Sequence, residues 1–297
     1  RPPNSIAGGD EPGFGSGLAT MKTHVWVTEE QTPALKISCL VKDILYNDQS
    51  PYQTVAVVET VEFGRMLLLD SVIQTTEKDE FTYHEMLAHV ALNTHPNPRT
   101  VLVVGGGDGG TVREVLKHPS VERVVLAEID EKVVEASKRF LPTLSAGFSD
   151  PRVDIQIGDG IAHVRNHPNT YDVILVDSTD PVGAAVGLFS AEFYRDAYRA
   201  LTSEGILVAQ TESPFYNGDL IRSVNRAMRE SFPLVRLYLG NVFTYPGSLW
   251  SYTLGSKGPD PLQVREPKPI EGARYYSPEV HHAAFVLPPF VQELVAP

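Results

Sequence analysis

Residues 101–116 read VLVVGGGDGGTVREVL, and the fold follows from how that stretch changes character. Its first four residues are uninterrupted Val and Leu, the pattern of a strand covered on both faces. Glycines at 105, 106, 107, 109 and 110 then surround a single aspartate. Without Cβ atoms, such a turn lets a ligand press against the backbone. A helical stretch, TVREVLKH, begins at once. A tight strand–helix turn with no ligand is the plainer alternative, but five glycines around one acid favour a ligand site. Asp108 decides which kind. A pyrophosphate docked at the helix N-terminus would be repelled by a carboxylate placed there. No Gly-Lys-Ser/Thr follows, which excludes a P-loop. The turn suits a ligand that presents a cation.

Downstream, the same alternation repeats. Strands are expected at RVVLAEID, VDIQIGD, YDVILVDS and GILVAQT, interleaved with helices at EKVVEASKRFL, GIAHVRNH, SAEFYRDAYRAL and GDLIRSVNRAMRESF. That pattern predicts a doubly wound parallel sheet. VRLYLGNV and SLWSYTLGSK follow as two strands joined by a short Tyr-Pro-Gly turn. A terminal hairpin of this kind points to the S-adenosylmethionine-methyltransferase-like variant of the Rossmann-like fold, not the dehydrogenase variant.

Upstream, three β-branched stretches, LKISCLVKDILY, TVAVVETVEF and RMLLLDSVIQTT, predict a small N-terminal antiparallel β domain over 24–78. In KDEFTYHEMLAHVALNTH, the residues Phe81, Met86, Leu87, Val90 and Ala91 fall on one side at helical spacing, and Asn97-Pro98 closes that helix. The catalytic α/β domain is expected over 79–297. Residues 1–23, rich in Gly and Pro and without an apolar h-region, read as a flexible leader and not as a secretory signal.

Bulk properties narrow the function classes. A net charge of −12 over 297 residues argues against nucleic-acid or anionic-membrane partners. It is compatible with a cationic small substrate. Cys39 is the only cysteine, so no intrachain disulfide forms and a reducing, cytoplasmic setting is expected. No apolar run approaches the roughly 18 residues of a membrane helix.

Further acids stand where the crevice of such a fold opens. Glu128 ends the second expected strand, where a carboxylate accepts hydrogen bonds from both hydroxyls of a ribose. Asp159 and Gly160 end the third, the adenine side of this architecture, although Asp159 could equally cap the helix that follows. Asp177 and Asp180, in VDSTDP, follow the fourth. With Asp108 opposite, they make an anionic cleft able to attract a polyamine and take a proton from it. The pair His84-Glu85 invites a zinc-protease reading, but His89 follows at i+5. The two histidines would not share the helix face that HExxH requires. His24, His118, His163, His167, His281 and His282 show no ligand spacing.

Taken together, GGGDGG, the acid of AEID, the DG pair at 159–160 and DSTDP resemble, in order and spacing, the spermidine synthase family. QTTEKDEFTYHEML and TYPGSLWSYTLGSK extend the resemblance over roughly 25–294. It implies a polyamine aminopropyltransferase that uses decarboxylated S-adenosylmethionine as co-substrate and putrescine as acceptor. No metal and no permanently bound cofactor are implied, and a homodimer or homotetramer is. By the same resemblance, Gln53, Gln74, Glu128, Asp159, Gly160 and the backbone near Ala184 hold the nucleoside end, which leaves as methylthioadenosine. Asp108 holds the aminopropyl ammonium. Asp177 is the base, and Tyr83, His84, Ser178, Thr179, Asp180 and Tyr245 line the acceptor side. Many relatives carry a proline near position 184, where this chain has Ala184. An ordinary methyltransferase would need room for a methionine carboxylate, which Asp108 repels. A non-catalytic polyamine or nucleoside binder would not need the base at Asp177.

Overall fold

A computed structural model describes residues 23–179 and 183–296. The N-terminal part is one antiparallel sheet in sequential order, β1 (Val25–Thr32), β2 (Leu35–Gln49), β3 (Thr54–Thr60), β4 (Arg65–Leu69) and β5 (Val72–Thr76). It has five strands where the sequence suggested three stretches. RMLLLDSVIQTT splits because Asp70 and Ser71 both adopt positive φ, 48° and 69°, which turns the chain tightly between β4 and β5. The strand at 25–32, VWVTEEQT, escaped notice because it is a half-polar edge strand whose apolar Val25 and Trp26 face outward.

Next comes α1 (Phe81–Thr94). Helical spacing suggested one apolar side, yet 12 of its 14 residues are buried. Its polar residues are buried because each has a partner. Glu85, for instance, accepts from the backbone N–H groups of Arg274, Tyr275 and Tyr276 at 2.8–3.1 Å. The C-terminal segment thus closes over the helix face that a simple amphipathic pattern would leave in water.

The second sheet alternates as expected: β6 (Thr100–Gly105), α2 (Gly110–Leu116), β7 (Arg123–Glu128), α3 (Glu131–Phe140), β8 (Val153–Ile157), α4 (Gly160–Asn166), β9 (Tyr171–Asp177), α5 (Ala191–Ala200), β10 (Leu201–Gln210), α6 (Gly218–Arg229), β11 (Leu234–Asn241) and β12 (Leu249–Ser256). Spatial order is β11-β12-β10-β9-β6-β7-β8. β6 to β10 run parallel, and β12 lies antiparallel between β10 and β11. This is the methyltransferase-like, doubly wound arrangement.

Alternate residues explain the apolar run of β6. Val101 and Val103 join the core with Met86, Leu87, Val112 and Val115 from α1 and α2. Leu102 and Val104 pack on the other side with Val164, Phe193 and Val224 from α4, α5 and α6. A strand covered on both faces has no solvent side to supply polar residues. The N-terminal sheet docks through Val55, Val57, Leu67 and Leu69 against Val133, Ala136 and Leu141. Two short helices close the chain, α7 (Pro278–Ala283), capped by Ser277 at the N–H of Val280, and α8 (Pro289–Val295).

Chain order reverses direction across the sheet at β6 and β9, which are hydrogen-bonded neighbours with Gly105 opposite Asp177. Crevices of this architecture open at that switch point, beyond the carboxyl ends of the strands. Asp108, Glu128, Asp159 and Asp177 all lie at or just beyond such ends.

Candidate active site

A cavity of about 460 Å³ opens there, walled by the glycine turn, the ends of β7, β8 and β9, the N-terminal sheet and the β11–β12 connection. Its size suits a small-molecule ligand. The glycines are required, not merely tolerated. Gly105 and Gly106 have φ of 77° and 70°, and a Cβ on Gly105 would lie 2.2 Å from the Asp177 carbonyl oxygen. A Cβ on Gly106 would meet Asp177 Oδ2 at 2.7 Å. Bare backbone is what lets the turn and Asp177 share one wall.

Asp177 receives Tyr83 Oη–H on Oδ1 at 2.8 Å and Thr111 Oγ1–H on Oδ2 at 2.6 Å. Burial, and next the Asp108 carboxylate, raise its carboxyl pKa from the ordinary value; His84 and the two hydroxyls oppose the rise. Asp108 shifts the opposite way. Burial works against its charge, but His84, 3.4 Å away, and the N–H of Gly110, 2.6 Å away, outweigh burial and hold it ionised. One cavity therefore contains a fixed anion and a more basic carboxylate.

Glu128 accepts from the N–H of Gly107 at 3.1 Å and of Asp130 at 2.9 Å. Burial nevertheless raises its pKa to about 7. Gln53 lines the cavity while its Nε2 donates to Asp130 Oδ2 at 3.0 Å. Gln74 lines it beside Tyr245, whose hydroxyl donates to the Gln74 carbonyl at 2.5 Å. Asp159 caps α4 at the N–H of Ile161, 2.8 Å away, and still faces the cavity with Gly160. The capping and cavity readings of Asp159 thus hold together. Ser178 and Thr179 reach the lining, and Gln210 Nε2 donates to the Ser178 carbonyl at 3.1 Å. Asp180 lies outside the described residues. Ala184 sits in the short 3-10 segment Gly183–Phe189, whose Gly183 and Ala185 line the cavity.

His84 and His89 point to different partners, His84 to Glu80 and Asp108, His89 to Glu114 and His118. Among the described residues no three His, Cys, Asp or Glu side chains are grouped to hold a metal ion, and no helix is long and apolar enough to cross a membrane. Sequence reasoning passed over Thr111, Glu29 and Gln210. A threonine opening a helix directly after the glycine turn was a usable signal for the first. Glu29 belongs to the edge strand β1 and could not be placed before that strand was seen.

A methyltransferase-type sheet with an acid-lined cavity at its switch point defines a Rossmann-like transferase. Comparison with known proteins narrows this. Residues 80–264 match the spermine/spermidine synthase domain, and residues 25–77 the spermidine synthase tetramerisation domain. A polyamine aminopropyltransferase of Moorella thermoacetica is 60% identical over 272 residues, 91% of this chain and 96% of its own length. That of Bacillus subtilis is 51% identical over 274 residues, 92% and 99% of the two chains. A crystal structure of spermidine synthase in complex with the transition-state analogue AdoDATO superposes with a TM-score of 0.89 at 44% identity, covering 92% of this chain and 96% of that one. Thermotoga maritima spermidine synthase gives 0.87 at 43%, covering 92% and 95%. The chain belongs to the spermine/spermidine synthase family and is a transferase.

Proposed function

We propose that the chain transfers the aminopropyl group of decarboxylated S-adenosylmethionine to putrescine, giving spermidine and methylthioadenosine. The observation that carries this reading is the pair of unlike carboxylates in one cavity. Asp108, kept ionised, suits the ammonium of the aminopropyl arm and repels the carboxylate of ordinary S-adenosylmethionine. Asp177, with its raised carboxyl, suits the proton that an attacking amine must lose. Glu128 takes the ribose hydroxyls. Gln53, Gln74, Asp159, Gly160 and the backbone around Ala184 complete the nucleoside end. Tyr83, His84, Ser178, Thr179, Asp180 and Tyr245 form the acceptor side.

The step balances without a further reactant. The amine lone pair forms the N–C bond to the propyl carbon, the C–S bond breaks, and its electron pair neutralises the sulfonium. The proton passes to Asp177. Holding amine, carbon and sulfur in line is the protein's main contribution. Assembly is proposed to be a homotetramer through the N-terminal sheet, and the setting cytoplasmic.

Turnover assays with both forms of the sulfonium donor and a panel of diamines, scored by methylthioadenosine release, test the assignment. Rapid release is expected only with the decarboxylated donor, and fastest with putrescine. Asp108→Asn should narrow the preference between donors. Methyl transfer from ordinary S-adenosylmethionine, or equal affinity for both donors, would overturn it.

A further inference from the structure

Behind the cavity wall, alternating charges run from Asp108 into the body of the protein. His84 Nε2 lies 3.4 Å from Asp108 Oδ1. Its Nδ1 is 2.6 Å from Glu80 Oε2, and a carboxylate only accepts, so that nitrogen carries the hydrogen. Arg113 Nη2 reaches both Glu80 oxygens, at 3.0 and 2.8 Å, and Arg113 Nε donates to Glu114 at 2.8 Å. Glu114 also receives Lys117 at 2.6 Å and His89 at 3.0 Å. His84 and Glu80 are 2% and 7% exposed. The imidazole packs so closely on α2 that a Cβ on Gly110 would come within 2.3 Å of His84 Cε1 and Nδ1. The ring rests on bare backbone at the start of α2. Glu80 and Arg113 themselves are not part of the cavity lining.

We propose that Glu80 and Arg113 are positioning residues for the transfer reaction and act through His84. Arg113 pins Glu80, Glu80 fixes the imidazole with Nε2 toward Asp108, and the cation so placed sets the charge that Asp177 feels. This rests on the reading of Asp177 as the base. The titratable and charged groups facing His84 are Glu80 ahead of α1, Tyr83 within it, Asp108 from the glycine turn, Asp177 at the end of β9, and Arg113 of α2 across Glu80. Burial disfavours the imidazolium, but the acids on either side outweigh burial and keep it protonated. That cation lowers the carboxyl pKa of Asp108 and offsets part of the rise that burial and Asp108 cause at Asp177. Without it, Asp177 would face the Asp108 carboxylate unrelieved, and less of it would be in the basic form near neutrality.

Glu80→Gln removes the counter-charge and keeps the shape. Two measurements test it. In the ligand-free protein with isotope-labelled histidine, the His84 ring should remain imidazolium through neutral pH, and in Glu80→Gln it should titrate at lower pH. In turnover, the acid limb of kcat/KM should move to higher pH by about half a unit or more, while methylthioadenosine affinity stays within about twofold. Arg113→Lys, which keeps charge but loses the two-oxygen grip, should shift the limb less, in the same direction. In a His84→Gln background, Glu80→Gln should add nothing, since its route is gone. An unmoved His84 titration in Glu80→Gln, or an undiminished limb shift in that background, overturns the proposal. The ring titration needs no turnover, so it judges these residues even where the donor or acceptor has been misassigned. Absence of aminopropyl transfer by the unmodified protein counts against the function reading alone.

Discussion

Asp108 and Asp177 are identical side chains given different work by what stands behind them. His84 lies directly against Asp108, whereas Asp177 bonds the hydroxyls of Tyr83 and Thr111, feels the His84 cation without bonding it, and faces the opposing charge of Asp108. Asp177→Asn keeps the shape and removes the basicity, so turnover should fall by about 10²–10⁴. Methylthioadenosine affinity should change little, because that ligand is assigned to Glu128 and Asp159. Asp180 follows Asp177 by three positions in the sequence, and coupled carboxylates can share a proton, so single-turnover rates of Asp180→Asn belong beside it. A collapse in that variant with near-normal Asp177→Asn would name the other acid as base. Glu128 gives a second prediction. Its folded-state pKa is raised from 4.5 to about 7. The folded protein therefore keeps this proton through a window where the unfolded chain has lost it. Its contribution to stability falls as pH rises from about 4.5 to about 7 and is level above. A ribose bound to the carboxylate favours the ionised form. Methylthioadenosine affinity should accordingly strengthen toward pH 7, with proton release seen by calorimetry in buffers of different ionisation enthalpy. Glu128→Gln should abolish the release; a pH-independent affinity in the unmodified protein would contradict the assignment.

The contact between β6 and β9 is what makes the site an element-level construction. Gly105→Ala would force a side chain into the left-handed region, which costs about 1–2 kcal/mol for an L-residue, and would press its Cβ against the Asp177 carbonyl at 2.2 Å. Gly158→Ala has nothing within 4 Å and serves as the control. Denaturant midpoints should drop clearly for the first and scarcely move for the second. Equal midpoints would mean the turn relaxes without cost. At this scale the sequence was most legible where burial is symmetric or the turn chemistry is strong. β6 through α6 could be read because an apolar run bounded by Gly, Asp or Asn admits few alternatives. β1 could not, because an edge strand with outward Val25 and Trp26 has no clean alternation. The near-complete burial of α1 was equally hidden. It depends on backbone N–H groups of residues 274–276, almost two hundred positions away, to satisfy Glu85. Of the site, the acids at strand ends were visible as types and positions. The hydroxyl of Thr111 was signalled only by its place after the glycine turn, since its bond to Asp177 depends on how α2 meets the end of β9. The pairing of Glu80 with Arg113 was hidden because it expresses how the start of α1 packs on α2.

Across the whole molecule, β1 ties the cavity to the outer surface. Its Glu29 lines the cavity and accepts from the N–H of Ile73 at 2.7 Å, while Trp26 on the same strand is 56% exposed and Ile44 of β2 58%. An indole left in water forgoes burial energy that a partner subunit would recover, on the order of 1.5–3 kcal/mol for a large apolar side chain. In a closed assembly that contribution recurs in every copy, so one substitution is multiplied by symmetry. The segment carrying these residues, 25–77, is the one that matches the tetramerisation domain. Sedimentation at micromolar chain concentration should therefore give a tetramer, and Trp26→Glu should shift it to smaller species. Because β1 also holds Glu29, loosening the strand should raise the KM for the diamine more than it lowers kcat, and leave methylthioadenosine affinity unchanged. Glu293→Gln, in α8 on the far side of the second sheet, should alter neither assembly nor KM. A monomeric unmodified protein at tens of micromolar would refute the assembly. A Trp26→Glu variant that dissociates with an unaltered KM would instead show that the cavity is complete within one chain.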